Sequence, residues 1–153
     1  MDDKNISKLL NKAGYYHNYS ENENKAIELC NEILKKDVEN IDALLIKAGA
    51  LSHVNKEKED FQLTEKIIKK WSNHWEAYYL MGLLLFNTNE KMAMQNFNNS
   101  ITIKKTFDNT ISAAQISYFL QQRDYKKYLN YAKELDLFRY TRYMEDYWEW
   151  EII

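Results

Sequence analysis

Proline is absent from the whole chain of 153 residues, and glycine occurs only three times, at Gly14, Gly49 and Gly82. An all-β chain of this length needs many tight turns, and these two residues supply the fixed or positive φ that such turns require. The three glycines also sit inside apolar stretches, where close packing is a better explanation than a turn. The chain therefore reads as all-α. With 45% apolar and 29% charged residues it has the composition of a globular protein. A chain of this size buries about 68–70% of its unfolded surface without a metal or disulfide.

A repeat organises the helices. Leu10, Leu44, Tyr78 and Ser112 follow one another at intervals of 34 residues, and three positions later come Ala13, Lys47, Met81 and Gln115. Next in the same register stand Gly14, Ala48, Gly82 and Ile116, then His17, Leu51, Leu85 and Phe119. In the second half of each unit a small residue precedes a large one by four positions. Ala26 and Cys30 fill these slots first, and Ala93 and Phe97 fill them in the third unit, one residue early. The fourth has Tyr128 and Ala132, with the sizes exchanged, and the second has Asp60 and Thr64, both polar. In that second unit Phe61, Thr64, Ile68 and Trp71 are spaced to share one helix face.

The large–small–large spacing at period 34 resembles the tetratricopeptide repeat (TPR). The resemblance covers about residues 6–140 and implies a right-handed superhelical α-solenoid of antiparallel helix pairs, divided as 6–37, 40–71, 74–106 and 108–139, in a single domain spanning 1–153. It departs from the family in lacking the closing proline, whose positions hold Val38, Ser72, Lys105 and Tyr140. Small residues at Gly14, Ala48 and Gly82 are expected to bring helix A of each pair close to helix B, and Cys30 to be a buried core residue. Stacked hairpins then share a continuous core and leave a concave groove lined by the A helices. Ser20 and Glu23 have capping-box spacing for the second helix, and Asn73 or Asp108 are candidate caps further on.

Residues 140–153 lie beyond the repeat. Tyr143, Tyr147 and Trp150 are spaced for a capping helix; a docking tail and a segment laid back into the groove are the alternatives.

In this register the groove is lined by Tyr15 and Tyr19, then Leu45 and His53, then Tyr79, Leu83, Phe86 and Asn87, and finally Leu120. Further groove positions include Gly49, Thr110, Ala113 and Ser117. Tyr79 and Phe86 are expected to be free aromatic anchors there. Such a surface suits an extended peptide or an amphipathic helix of a partner protein. What the resemblance implies is a non-catalytic protein–protein interaction module. One TPR subtype, the co-chaperone clamp for a C-terminal carboxylate, is disfavoured because Glu76 and Leu80 stand where it carries cations. Another, the small cytoplasmic chaperone of type III secretion that holds an apolar client segment, is an alternative, since 113–135 is similar to its third repeat. A homo-oligomer is left open.

Other classes of function find little support. Twenty-one basic against 23 acidic residues give a net charge of −2, which argues against nucleic acid as a partner, including binding by an RNA-reading helical repeat. No apolar run is long enough for a membrane span. Residues 1–8 lack a signal peptide's layout, and a single cysteine fits a reducing compartment, so a cytoplasmic location is expected. His17, His53 and His74 belong to three different units with no second ligand at i+3 or i+4, so no metal site and no cofactor are expected. No convergent set of catalytic residues is evident.

Overall fold

A computed structural model describes residues 3–20 and 22–147 of the chain, with the side chain of Tyr147 excepted. Among these residues the chain forms α-helices and no strand: α1 (Asp3–Asn18), α2 (Glu23–Leu34), α3 (Ile41–His53), α4 (Glu57–Lys70), α5 (Trp75–Leu85), α6 (Glu90–Ile103), α7 (Phe107–Phe119), α8 (Tyr125–Leu135) and α9 (Leu137–Tyr147). Each helix packs against the next through α9, and α1, α3 and α5 also touch in succession. The result is a row of helical hairpins in which α1, α3 and α5 lie side by side.

The helix ends are built with asparagine in place of proline and glycine. Asn22, Asn40 and Asn89 each accept a hydrogen bond from the backbone N–H three residues on, capping α2, α3 and α6. Thr106 and Asn109 form a reciprocal capping box at α7. The expected box of Ser20 and Glu23 does not form: Ser20 Oγ donates to the Tyr16 carbonyl at 3.2 Å, and Glu23 turns toward two histidines. Asn73 and Asp108 also leave the capping to other residues or to none. His74 stands at the start of α5 without a side-chain cap bond, and Asp108 lies inside the first turn of α7 and pairs with Arg139.

Among the described residues the only left-handed backbone positions are Asn55 (φ 57°) and Gln121 (φ 54°), and no glycine has positive φ. At each, the next residue's N–H reaches back to an earlier carbonyl: Lys56 to Leu51 at 3.1 Å and Gln122 to Ser117 at 2.9 Å. These bonds close the ends of α3 and α7 in the manner of a Schellman turn. This leaves glycine for packing. A Cβ on Gly82 would stand 2.5 Å from Cε1 of Phe97, and one on Gly49 would stand 2.9 Å from Nε2 of His17. Gly14 differs from the expectation, since nothing outside its own helix lies within 4 Å of its Cβ position.

The core follows the repeat. All eight small/large slots on the even-numbered helices are buried: Ala26 and Cys30, Asp60 and Thr64, Ala93 and Phe97, Tyr128 and Ala132. Burial pushes the Cys30 thiol up to about 11, which keeps it protonated and unreactive. In α4 the fully buried residues are Asp60, Thr64 and Ile67, and of the expected face Thr64 is buried and Ile68 and Trp71 pack against the core, while Phe61 is exposed. Thr64 Oγ1 donates to Asp60 Oδ1 at 2.8 Å, while Oδ2 of the same carboxyl has no partner. Burial, reinforced by Glu57, pushes Asp60 up to about 6 against the opposing effects of Thr64 and His53.

At the C-terminal end, α9 packs on α8. Tyr140, Tyr143 and Met144 lie against the cluster that holds Phe97, Ile111, Ile116 and Leu129. Trp150 lies outside the described residues.

Candidate functional site

The odd-numbered helices place the expected groove residues in three different environments. Tyr15 and Tyr19 are exposed near the end of α1, with ring centroids 6.0 Å apart. Leu83 and Asn87 are exposed on and just after α5. Leu45 is only 7% exposed and belongs to the core cluster of Ala48, Ile67 and Ala77.

Tyr79 and Phe86 are not free anchors. Both are half-buried against Phe97, with centroid separations of 6.1 and 6.3 Å. Tyr79 is also hydrogen-bonded to Ser112, and burial raises its phenol above the ordinary range. Gly82 causes this arrangement: with no side chain there, the Phe97 ring fills the space on α5 between Tyr79 and Phe86. Leu120 is likewise half-buried against the core at the end of α7. Gly49, Thr110, Ala113 and Ser117 are buried, so the fourth unit offers little of the expected groove. Phe119, at the last large position of the fourth unit's first helix, is 70% exposed.

A hollow of about 440 Å³ crosses the N-terminal half of the array, lined by Ser7, Leu10 and Asn11 of α1, Asp42, Leu45 and Ile46 of α3, and Glu76 of α5. Leucine and isoleucine give it apolar surface, and the two carboxylates, with no lysine or arginine in the lining, make it acidic. Beside it, Lys4, Lys8 and Lys12 line a second hollow of about 540 Å³ with Tyr15 and Tyr16. The two hollows share Ser7 and Asn11, so α1 separates an acidic surface from a basic one.

A third feature was not visible in the sequence. Glu23, the first residue of α2, is almost fully buried and lies between two histidines: His17 Nδ1 is 2.8 Å from Oε2 and His53 Nδ1 is 2.8 Å from Oε1. The imidazole rings are 5.4 Å apart. An ionised carboxylate only accepts, so both rings donate from Nδ1. His53 is therefore committed to Glu23 and not a free groove residue. The two histidines are 36 residues apart, one period plus two. The last turns of successive A helices become neighbours when α1 and α3 lie side by side, which a search for ligands at i+3 or i+4 does not detect.

The stacked hairpins can be set against known structures. TTC0263, a thermophilic TPR protein of Thermus thermophilus, superposes with a TM-score of 0.75 over 86% of this chain and 74% of its own, at 12% identity. The chain has a TPR-like fold. MamA is a second TPR-like neighbour: one structure matches with a TM-score of 0.66 at 20% identity, over 94% of this chain and 76% of that one. MamA from Desulfovibrio magneticus RS-1 matches at 0.64 and 13% identity, over 92% and 77%. No protein-family model and no curated protein matches the sequence. At these identities the likeness concerns the fold. No described helix of this TPR-like array is long and apolar enough to cross a membrane.

Proposed function

We propose that this TPR-like chain is a non-catalytic protein-interaction module that takes a peptide or amphipathic helix of a partner protein in the hollow between α1, α3 and α5. The observation that carries this reading is the composition of that hollow: Leu10 and Ile46 offer apolar contact between two carboxylates, Asp42 and Glu76, on adjacent helices. Aliphatic anchors would contact Leu10 and Ile46, and lysine or arginine side chains of the ligand would pair with the carboxylates. Tyr15, Tyr19, Leu83 and Asn87 extend the exposed surface of the same helices. Exposed apolar residues near the C-terminal end, Phe119 at 70% and Phe138 at 72%, support the second reading, a chaperone that shields an apolar client segment there.

Selection from a random peptide library on the immobilised chain tests the first reading. Selected peptides should combine a basic residue with an aliphatic one. Fluorescence anisotropy should show at least about tenfold weaker binding to Glu76→Lys, with unchanged circular dichroism and melting. Equal binding to wild type, Glu76→Lys and Asp42→Lys would remove the hollow from consideration, and peptides rich in apolar residues that need Phe119 would favour the chaperone reading.

A further inference from the structure

We propose that His17, Glu23 and His53 form a structural site for a divalent first-row transition ion of the zinc type, joining α1, α2 and α3. One ligand atom from each residue lies within 4.8 Å of the others. The two imidazole nitrogens aim at a single buried carboxylate, and nothing else the structure records competes for Nδ1 of either ring. A tetrahedral zinc site with bonds of about 2.0–2.2 Å holds its ligand atoms roughly 3.3–3.5 Å apart. The longest separation therefore has to close by up to about 1.4 Å, while the 2.8 Å nitrogen–oxygen contacts open by about 0.5 Å, and the means is at hand. The His53 side chain is 62% exposed and can swing inward, while His17 and Glu23 are held by their surroundings, His17 with its Nε2 edge against Gly49.

The donor set selects the ion. Two imidazole nitrogens and one carboxylate suit zinc and its neighbours, whereas calcium and magnesium ask for six or more oxygens. On binding, each neutral ring changes tautomer, its proton passing from Nδ1 to Nε2 by exchange with solvent, so that the Nδ1 lone pair bonds the ion, and Glu23 supplies an oxygen. The exposed side next to His53 leaves room for a water as fourth ligand. The ion would tie the first hairpin to the second through three helices at once. Without it the same residues form a hydrogen-bonded clasp, and the two states can be separated by experiment.

The test is thermal unfolding of the full chain, stripped with chelator, in zinc chloride and in magnesium chloride, with binding stoichiometry from calorimetry. The variants are His53→Gln, His17→Gln and His74→Gln. Glutamine at position 53 can still donate an amide hydrogen bond to Glu23 but supplies no imidazole, so it keeps the clasp and removes the ligand. Wild type and His74→Gln should bind one zinc ion. At free zinc about a hundredfold above Kd their melting temperature should rise by about 5–10 °C. His53→Gln should fold and lose that rise, as should His17→Gln, and magnesium should have no effect. A wild type indifferent to zinc, or a rise of equal size in His53→Gln, would overturn the site.

Discussion

The Phe97 ring lies across Gly82, 2.5 Å from where a β-carbon would stand. This one contact sets the spacing of α5 and α6 and decides that Tyr79 and Phe86 flank a core ring instead of facing a ligand. Because Phe97 is completely buried, it has no room to retreat. Gly82→Ala should lower stability by about 1–3 kcal/mol in urea unfolding.

Gly14 is the opposite case. It stands in the interior of α1 with open space beside it and an ordinary helical φ. Gly14→Ala should raise stability by about 0.5–1 kcal/mol, through the reduced entropy of the unfolded chain. A destabilised Gly14→Ala would mean that a neighbour approaches this helix more closely than the structure shows.

The buried Asp60 makes stability depend on pH. Its folded value of about 6 lies above the ordinary 3.8, so between these limits the folded protein binds more protons than the unfolded one. The contribution of Asp60 to stability is greatest below about pH 4, falls as pH rises through this window, and is flat above about 6. The full cost of ionised Asp60 is on the order of 3 kcal/mol. Asp60→Asn keeps an oxygen for Thr64 and carries no charge, so it should be more stable than wild type at pH 7.5. That advantage should shrink at pH 4.5. Parallel urea curves for the two proteins at both pH values check this, since contributions from groups that do not interact with Asp60 cancel in the difference.

Tyr79→Ala combined with Phe86→Ala should reduce stability by about 2–4 kcal/mol, because both rings are packed on Phe97. Unchanged melting would mean that these side chains are free, as the repeat register alone suggests.

Tyr140 and Met144 of α9 lie against the C-terminal core cluster. Replacing both by alanine should cost about 1–2 kcal/mol and expose the surface of α7 and α8 beneath them. Increased binding of a hydrophobic dye with a lowered denaturation midpoint is the expected result.

The scarcity of glycine and proline and the 34-residue spacing were enough to indicate an all-α, TPR-like chain. Even the polar pair Asp60 and Thr64 is buried in the slots the register assigns. Period and helix type depend on local backbone preference and on which positions recur, and both are properties of the chain read in order. The choice of neighbours is not. Whether Tyr79 faces a ligand or Phe97 depends on how far two helices approach, and that distance follows from the absence of one β-carbon at Gly82. Glu23 has the spacing of a cap in the sequence, but it is held by two histidines from helices on either side of it. His17 and His53 meet because α1 and α3 lie abreast. Only the packed array could bring those three side chains within reach of one ion.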